Sequence, residues 1–257
     1  MPGGSDWVFH APFAFDRSDL HNLFFYALSN SIGREAMRTR MVEVFVETTG
    51  GSLNFTGAAS GDYFGAYNVM EKIRRGGERV NVAKLDTYDN DAVGKTGGFI
   101  WKVDRLDAGD TGFAAGGQTM AYYYPKEIAV KSPQRDPQEQ YLSTTITSFK
   151  SAFDSVTYTN PTTGYAAWLD VGAAIDHHLM NVWTFNVDGL RPSGFLHKER
   201  GGKIAFGPVW DVDRGLSSTD GRDANPAMWR SNVSDLGTDF FNQTSSSSRL
   251  KISAQRP

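Results

Sequence analysis

Residues 194–210 carry two apolar strand runs, GFLHKE and KIAFGPVW, that share the turn sequence ERGGK. This pattern folds as a β-hairpin, because glycine supplies the backbone conformations that a tight reversal demands. A hairpin returns its two ends to one place. Asp188 precedes the first strand, and Asp211 and Asp213 follow the second, so these carboxylates are expected to be neighbours. Neighbouring carboxylates repel unless a metal or a shared chemical task holds them together.

The rest of the chain predicts an α+β protein. RSDLHNLFFYALSNS, residues 17–31, reads as a helix with Ser18 as N-cap and Leu20, Leu23, Phe24, Ala27 and Leu28 on one inward face. MVEVFVE at 41–47 alternates as a half-buried strand does, DYFGAYNVME at 62–71 returns beside it, and GGFIWKVDR at 97–105 is a further strand. Residues 138–154 place Tyr141, Leu142, Ile146, Phe149 and Phe153 on one helical stripe. Asp170 is the expected N-cap of a second long helix, about 171–185, with Val171, Ile175, Leu179 and Val182 inward. Three segments are therefore expected: a β-rich part over 1–135, a helical part with the hairpin over 136–220, and a loose Ser/Asp/Asn-rich tail over 221–257.

Composition removes several function classes. A net charge of −3 with no long basic run does not suit a protein that binds nucleic acid by neutralising phosphates. The absence of cysteine excludes disulfides, thiolate-bound zinc and a thiol nucleophile. The N-terminal residues MPGGSDWVFHAPF lack the charged start and apolar run of a signal peptide, and no apolar stretch is long enough to span a membrane. GxxxxGK[ST] is absent, as is H-E-x-x-H. DVDRGLSSTDGRD is not an EF-hand loop, because Gly215 stands where a ligand belongs and Arg222 where the bidentate glutamate belongs.

Acids at the mouths of a hairpin match what phosphoryl transfer from ATP requires. One carboxylate positions the acceptor hydroxyl, and another holds Mg²⁺ against the phosphates. Helix, Asp188, hairpin and Asp211 stand in the order that protein kinases use. The same acids also fit ordinary helix caps and turn formers. For the phosphate side, Lys102 near a strand end is the candidate cation, with Glu71 as its ion-pair partner and Lys72 close by. Lys72, Arg74 and Arg75 equally suit a solvated basic edge. GAASG at 57–61 is either a nucleotide-covering loop or a plain turn. His177 and His178 are adjacent on a helix, so they point about 100° apart and do not share a metal easily; His178 is expected in the core.

The chain resembles the CotH kinase family, atypical protein kinases named for the spore coat protein CotH. The resemblance runs from DWVFHAP to WDVDRG and is carried by RTRMVEVFVE, YFGAYNVMEKI, GGFIWKVD, the helix leading to NVD, and GPVWDVDRG. It implies a two-lobed, distant kinase-like fold and an ATP- and Mg²⁺-dependent (or Mn²⁺-dependent) phosphotransferase. Carried onto this sequence, it makes Asp188 the catalytic base, Asn186 a brace for its loop, and Asp211 the metal ligand. Asp213 becomes a second ligand or a turn cap, and Trp210 either core or nucleotide-pocket lining. Many members have asparagine where this chain has Ser193, a poorer metal ligand.

The resemblance further implies a protein substrate with Ser/Thr acceptors on a coat or surface protein, and a spore-coat, cell-surface or secreted location. Two other functions stay open: a binding or assembly protein with weak or lost catalysis, and transfer of another group from ATP, such as AMP. Members usually have strands before the DWV block and a helical stretch after WDVD, so the chain is expected to be a fragment or an unusually short member.

Overall fold

The structure is a computed structural model and describes residues 6–56, 61–106, 108–126, 131–189 and 193–227. The tail from residue 228 onward and most of GAASG lie outside the described residues. The fold is α+β, with two antiparallel sheets and helices packed against them.

The smaller sheet has three strands in the order β1-β3-β2: β1 (Trp7–His10), β2 (Thr39–Phe45) and β3 (Tyr63–Glu71). The expected return of residues 62–71 beside 41–47 is the β2–β3 ladder, which pairs Met41 with Asn68 and Glu43 with Ala66. On the other side of β3, His10 is paired with Asn68.

The larger sheet has the order β5-β6-β4-β7-β8, from β4 (Phe99–Val103), β5 (Gly112–Ala115), β6 (Gln118–Tyr124), β7 (Gly194–Lys198) and β8 (Ile204–Phe206). The predicted hairpin is β7–β8, although its second strand ends at Phe206 and the chain leaves the ladder before Trp210. Central β4 is buried on both faces. Alternation sends Phe99 and Trp101 into one apolar cluster and Ile100 into another. Lys102 therefore projects to the Ile100 side.

Helix α2 (Asp136–Asp154) covers the first cluster with Leu142, Ile146, Phe149 and Phe153, as the periodicity predicted. Each such side chain contributes about 1.5–3 kcal/mol by leaving water. Helices α1 (His21–Ser31) and α3 (Val171–Trp183) border the second cluster through Phe25, Tyr26 and Met180.

Both of these helices turn inward a face that matches the predicted one only in part: Leu28 and Val182 pack inward as expected. In α1 the buried set is Asn22, Phe25, Tyr26 and Ser29, whereas Leu20 and Phe24 are exposed. In α3 it is Ala173, His177, Met180, Asn181 and Val182, with Ile175 and Leu179 exposed. The buried polar groups have partners, which is what makes their burial affordable: Asn22 accepts from Val212 N, Ser29 donates to Arg34 O, and Asn181 donates to His177 O. The core histidine is accordingly His177, not His178. Burial lowers His177 to a pKa of about 4, so its imidazole is neutral near pH 7.

Asp170 caps α3 as expected, accepting from Ala173 N at 2.9 Å. Ser18 is not the α1 cap. Asp16, fully buried, accepts from His21 N at 2.7 Å and from Ser18 N at 2.9 Å, holding the turn that opens the helix.

Candidate functional site

The segment 207–213 leaves the hairpin and runs under α1. Asp211 adopts a left-handed φ of 57°, which aims its side chain away from the direction an extended strand would give. Two side chains of α1 hold this turn: Asp211 N donates to Tyr26 Oη at 3.1 Å, and Val212 N donates to Asn22 Oδ1 at 2.8 Å.

The other acid sits on the loop after α3. Asn186, buried, donates through Nδ2 to Asn181 Oδ1 at 2.9 Å and accepts from Asp188 N at 3.2 Å. The loop is thereby tied to the helix, and Asp188 to the loop. Leu216 N donates to Thr184 O at 2.7 Å, stitching the segment after Asp213 to the start of that same loop. Gly215 allows the approach, since a Cβ there would lie 2.8 Å from Thr184 O. Asp188 faces two guanidiniums, with Arg214 Nε 3.6 Å and Arg222 Nη2 3.8 Å from its oxygens.

The carboxylates feel one another. Burial, and after it the Asp211 charge, push Asp213 up to about 7. Burial likewise raises Asp211; His10 opposes this, while Asp104 and Asp188 add to it. Ser193, itself at φ 59°, donates its hydroxyl to Asp211 Oδ2 at 3.4 Å. His10 at the end of β1 completes the group, with Nε2 4.0 Å from Asp213 Oδ2. One ligand atom from each of His10, Asp211 and Asp213 lies within 4.8 Å of the other two. Two crowded acids that resist ionisation, beside a buried imidazole nitrogen with no hydrogen-bond partner among the described residues, fit a divalent cation.

The family model of the CotH kinase protein matches residues 1–248 of the 257-residue chain. The chain belongs to the CotH kinase family. Membership suggests a kinase-like phosphotransferase. No curated protein matches the chain.

In this CotH chain the expected phosphate-side residues do not form the expected pair. Glu71 is buried between Arg38 Nε at 2.8 Å and Arg79 Nη2 at 2.5 Å, whereas Lys102 Nζ meets Asp110 at 2.8 Å. Arg38, just before β2, and Arg79, after β3, take up both oxygens of the Glu71 carboxylate. Lys72 is exposed. Arg75 covers the Tyr124 ring, 5.6 Å from its centroid. Trp210 is partly buried and packs against the second cluster, with its ring beside those of Tyr26 and Phe195.

Asp188, Asn186, Asp211 and Asp213 are thus brought together; Glu71 and Lys102 are not brought to each other. Sequence reasoning missed His10, Tyr26, Asn22, Arg214 and Arg222. His10 was visible only as part of the DWVFHAP block, and nothing in the linear pattern relates it to residues two hundred positions away. Among the described residues no helix is long and apolar enough to cross a membrane.

Proposed function

We propose that this CotH family member is an ATP- and Mg²⁺-dependent protein kinase that phosphorylates Ser or Thr hydroxyls of a coat or surface protein. The observation that carries the reading is the convergence of Asp188, Asp211 and Asp213, from two chain segments, on a site where burial and mutual repulsion raise two of the three acids. In this reading Asp188 accepts the proton of the acceptor hydroxyl and orients its oxygen. Asp211 and Asp213 hold the cation, which when bound offsets charge on the transferred phosphoryl group. Asn186 keeps Asp188 in register, and Lys102, on the Ile100 face of β4, supplies positive charge for phosphate. Residues 1–135 and 136–220 act as two kinase-like lobes, with the β4–β7 ladder crossing between them. A spore-coat, cell-surface or secreted setting suits this substrate class.

One observation favours a second reading. Asp188 is engaged by Arg214 and Arg222, which a catalytic base has to escape. A chain that never frees it serves as a binding or assembly protein.

The test is transfer from γ-labelled ATP with Mg²⁺ or Mn²⁺, comparing wild type with Asp188→Ala and Asp211→Ala. Labelling of a Ser-rich acceptor that disappears in both variants supports the kinase. A folded chain that binds ATP without γ-transfer supports the assembly role, or transfer of AMP if α-labelled ATP is consumed. A folded chain that binds no ATP removes the enzyme reading.

A further inference from the structure

We propose that His10 is a third protein ligand to the cation held by Asp211 and Asp213, and that its imidazole shifts the site's preference from Mg²⁺ towards Mn²⁺. The proposal rests on the reading of those two acids as the metal-holding pair.

Strand β1 sets where the imidazole stands. His10 is in register with Asn68 of β3, and buried Asn68 donates to Asp19 O at 3.0 Å, which anchors this end of the sheet. From there Nε2 stands 4.0 Å from Asp213 Oδ2, beyond hydrogen-bond reach. The Nε2 atom is shielded from solvent and has no hydrogen-bond partner among the described residues. A buried nitrogen left without a partner costs stability unless something else satisfies it.

The spacing suits a metal better than an ion pair. Ligand atoms about 2.1 Å from a six-coordinate ion lie roughly 3.0 Å apart when adjacent and about 4.2 Å apart when opposite. The His10, Asp211 and Asp213 atoms fall within 4.8 Å of one another, so small side-chain rotations bring all three onto one ion. An ion pair between His10 and Asp213 would instead draw the nitrogen in to about 2.7–3.2 Å.

The donor set then biases the choice of ion. Mg²⁺ takes hard oxygen ligands and keeps several waters. Mn²⁺ shares its use of carboxylates but, as the first member of the transition series for which nitrogen ligands gain affinity, tolerates an imidazole better than Mg²⁺ does. Two carboxylates and one imidazole make a mixed set that Mn²⁺ accepts more readily than Mg²⁺ does. His10 belongs to β1, and the acids follow β8, so the cation also fastens the smaller sheet to the acid-bearing turn.

The experiment uses the whole metal-stripped chain and Mn²⁺ alone, without nucleotide. Electron spin echo modulation on the bound Mn²⁺ reads directly coordinated ¹⁴N. Wild type is expected to show imidazole ¹⁴N coupling, and His10→Gln to lose it while still binding one Mn²⁺. Mn²⁺ affinity is expected to fall about ten-fold or more in His10→Gln, and Mg²⁺ affinity by less than about three-fold. The wild-type spectrum stands even if the variant folds poorly. Mn²⁺ binding that Asp211→Asn abolishes, with no ¹⁴N coupling in wild type or coupling that survives in His10→Gln, overturns the role of His10 and leaves the acid site intact. Absence of Mn²⁺ binding to folded wild type, or binding indifferent to Asp211→Asn, overturns the metal-holding acids and the proposal together.

Discussion

The hydroxyl of Tyr26, on the second turn of α1, accepts the backbone N–H of Asp211 at 3.1 Å. That contact joins a helix near the start of the chain to the acid turn nearly two hundred residues later. It also explains why α1 buries its Asn22–Tyr26 face and leaves Leu20 and Phe24 outside.

Tyr26→Phe keeps the ring in the core and removes only the acceptor. The amide of Asp211 then loses its partner, at a cost of about 1–3 kcal/mol. We expect a melting temperature lower by a few degrees and weaker binding of Mn²⁺. Asn22→Ala, which frees Val212 N, should act in the same direction. Unchanged metal affinity in both variants would show that α1 does not position the acids.

Asp213 carries a pH signature. Its folded pKa of about 7 exceeds the ordinary carboxylate value, so between about pH 4 and 7 the folded chain keeps a proton that the unfolded chain has released. The stabilisation from this group is complete at low pH and is lost as pH rises through 7. In metal-free protein, Asp213→Asn should therefore be close to wild type near pH 4, gain on it steadily as pH rises, and be more stable by about 2–4 kcal/mol at pH 8. Melting curves across that range decide it. A difference that stays flat with pH contradicts the assignment.

Glu71 and Lys102 should separate into structural and ligand-facing roles. Glu71→Gln strands buried Arg79 without its counter-charge, and breaking such a pair costs about 3–5 kcal/mol. Lys102→Met removes the cation that meets Asp110, so it is expected to lose less stability than Glu71→Gln, because Asp110 is partly exposed, and to lower ATP affinity roughly ten-fold, the scale of one charge-assisted hydrogen bond. Equilibrium unfolding and nucleotide titration on both variants test the split, and an ATP defect confined to Glu71→Gln reverses it.

Gly189 follows Asp188 directly. A methyl group there would overlap Asn181 Oδ1 and Asn186 Nδ2, the two atoms whose hydrogen bond braces the loop. Gly189→Ala should cut phosphotransfer by at least about ten-fold, since a displaced base loses its alignment with the acceptor, while ATP affinity stays near wild type. Equal loss of both would mean that the loop supports the nucleotide rather than the base.

Much of this protein was legible in its sequence because the relevant signals are local. Hairpin turn chemistry placed β7 and β8, apolar spacing placed α2 and its buried stripe, and Asp170 announced α3. Each of these depends on neighbours within a few residues, where backbone geometry and side-chain type suffice. The meeting of Asp188 with Asp211 and Asp213 was legible for the same reason, because a hairpin closes over a short loop.

Tertiary structure alone decided the rest. Which face of α1 and α3 turns inward depends on whether a polar side chain finds a distant backbone partner, as Asn22 does in Val212. Glu71 pairs with Arg38 and Arg79 because the smaller sheet packs them beside it, and Lys102 turns to Asp110 across a neighbouring loop. His10 reaches the acids only after β1 has found β3. A charge or a ligand acts through distance in space, and over such long sequence separations that distance is set by the packing of sheets and helices, not by the order of residues.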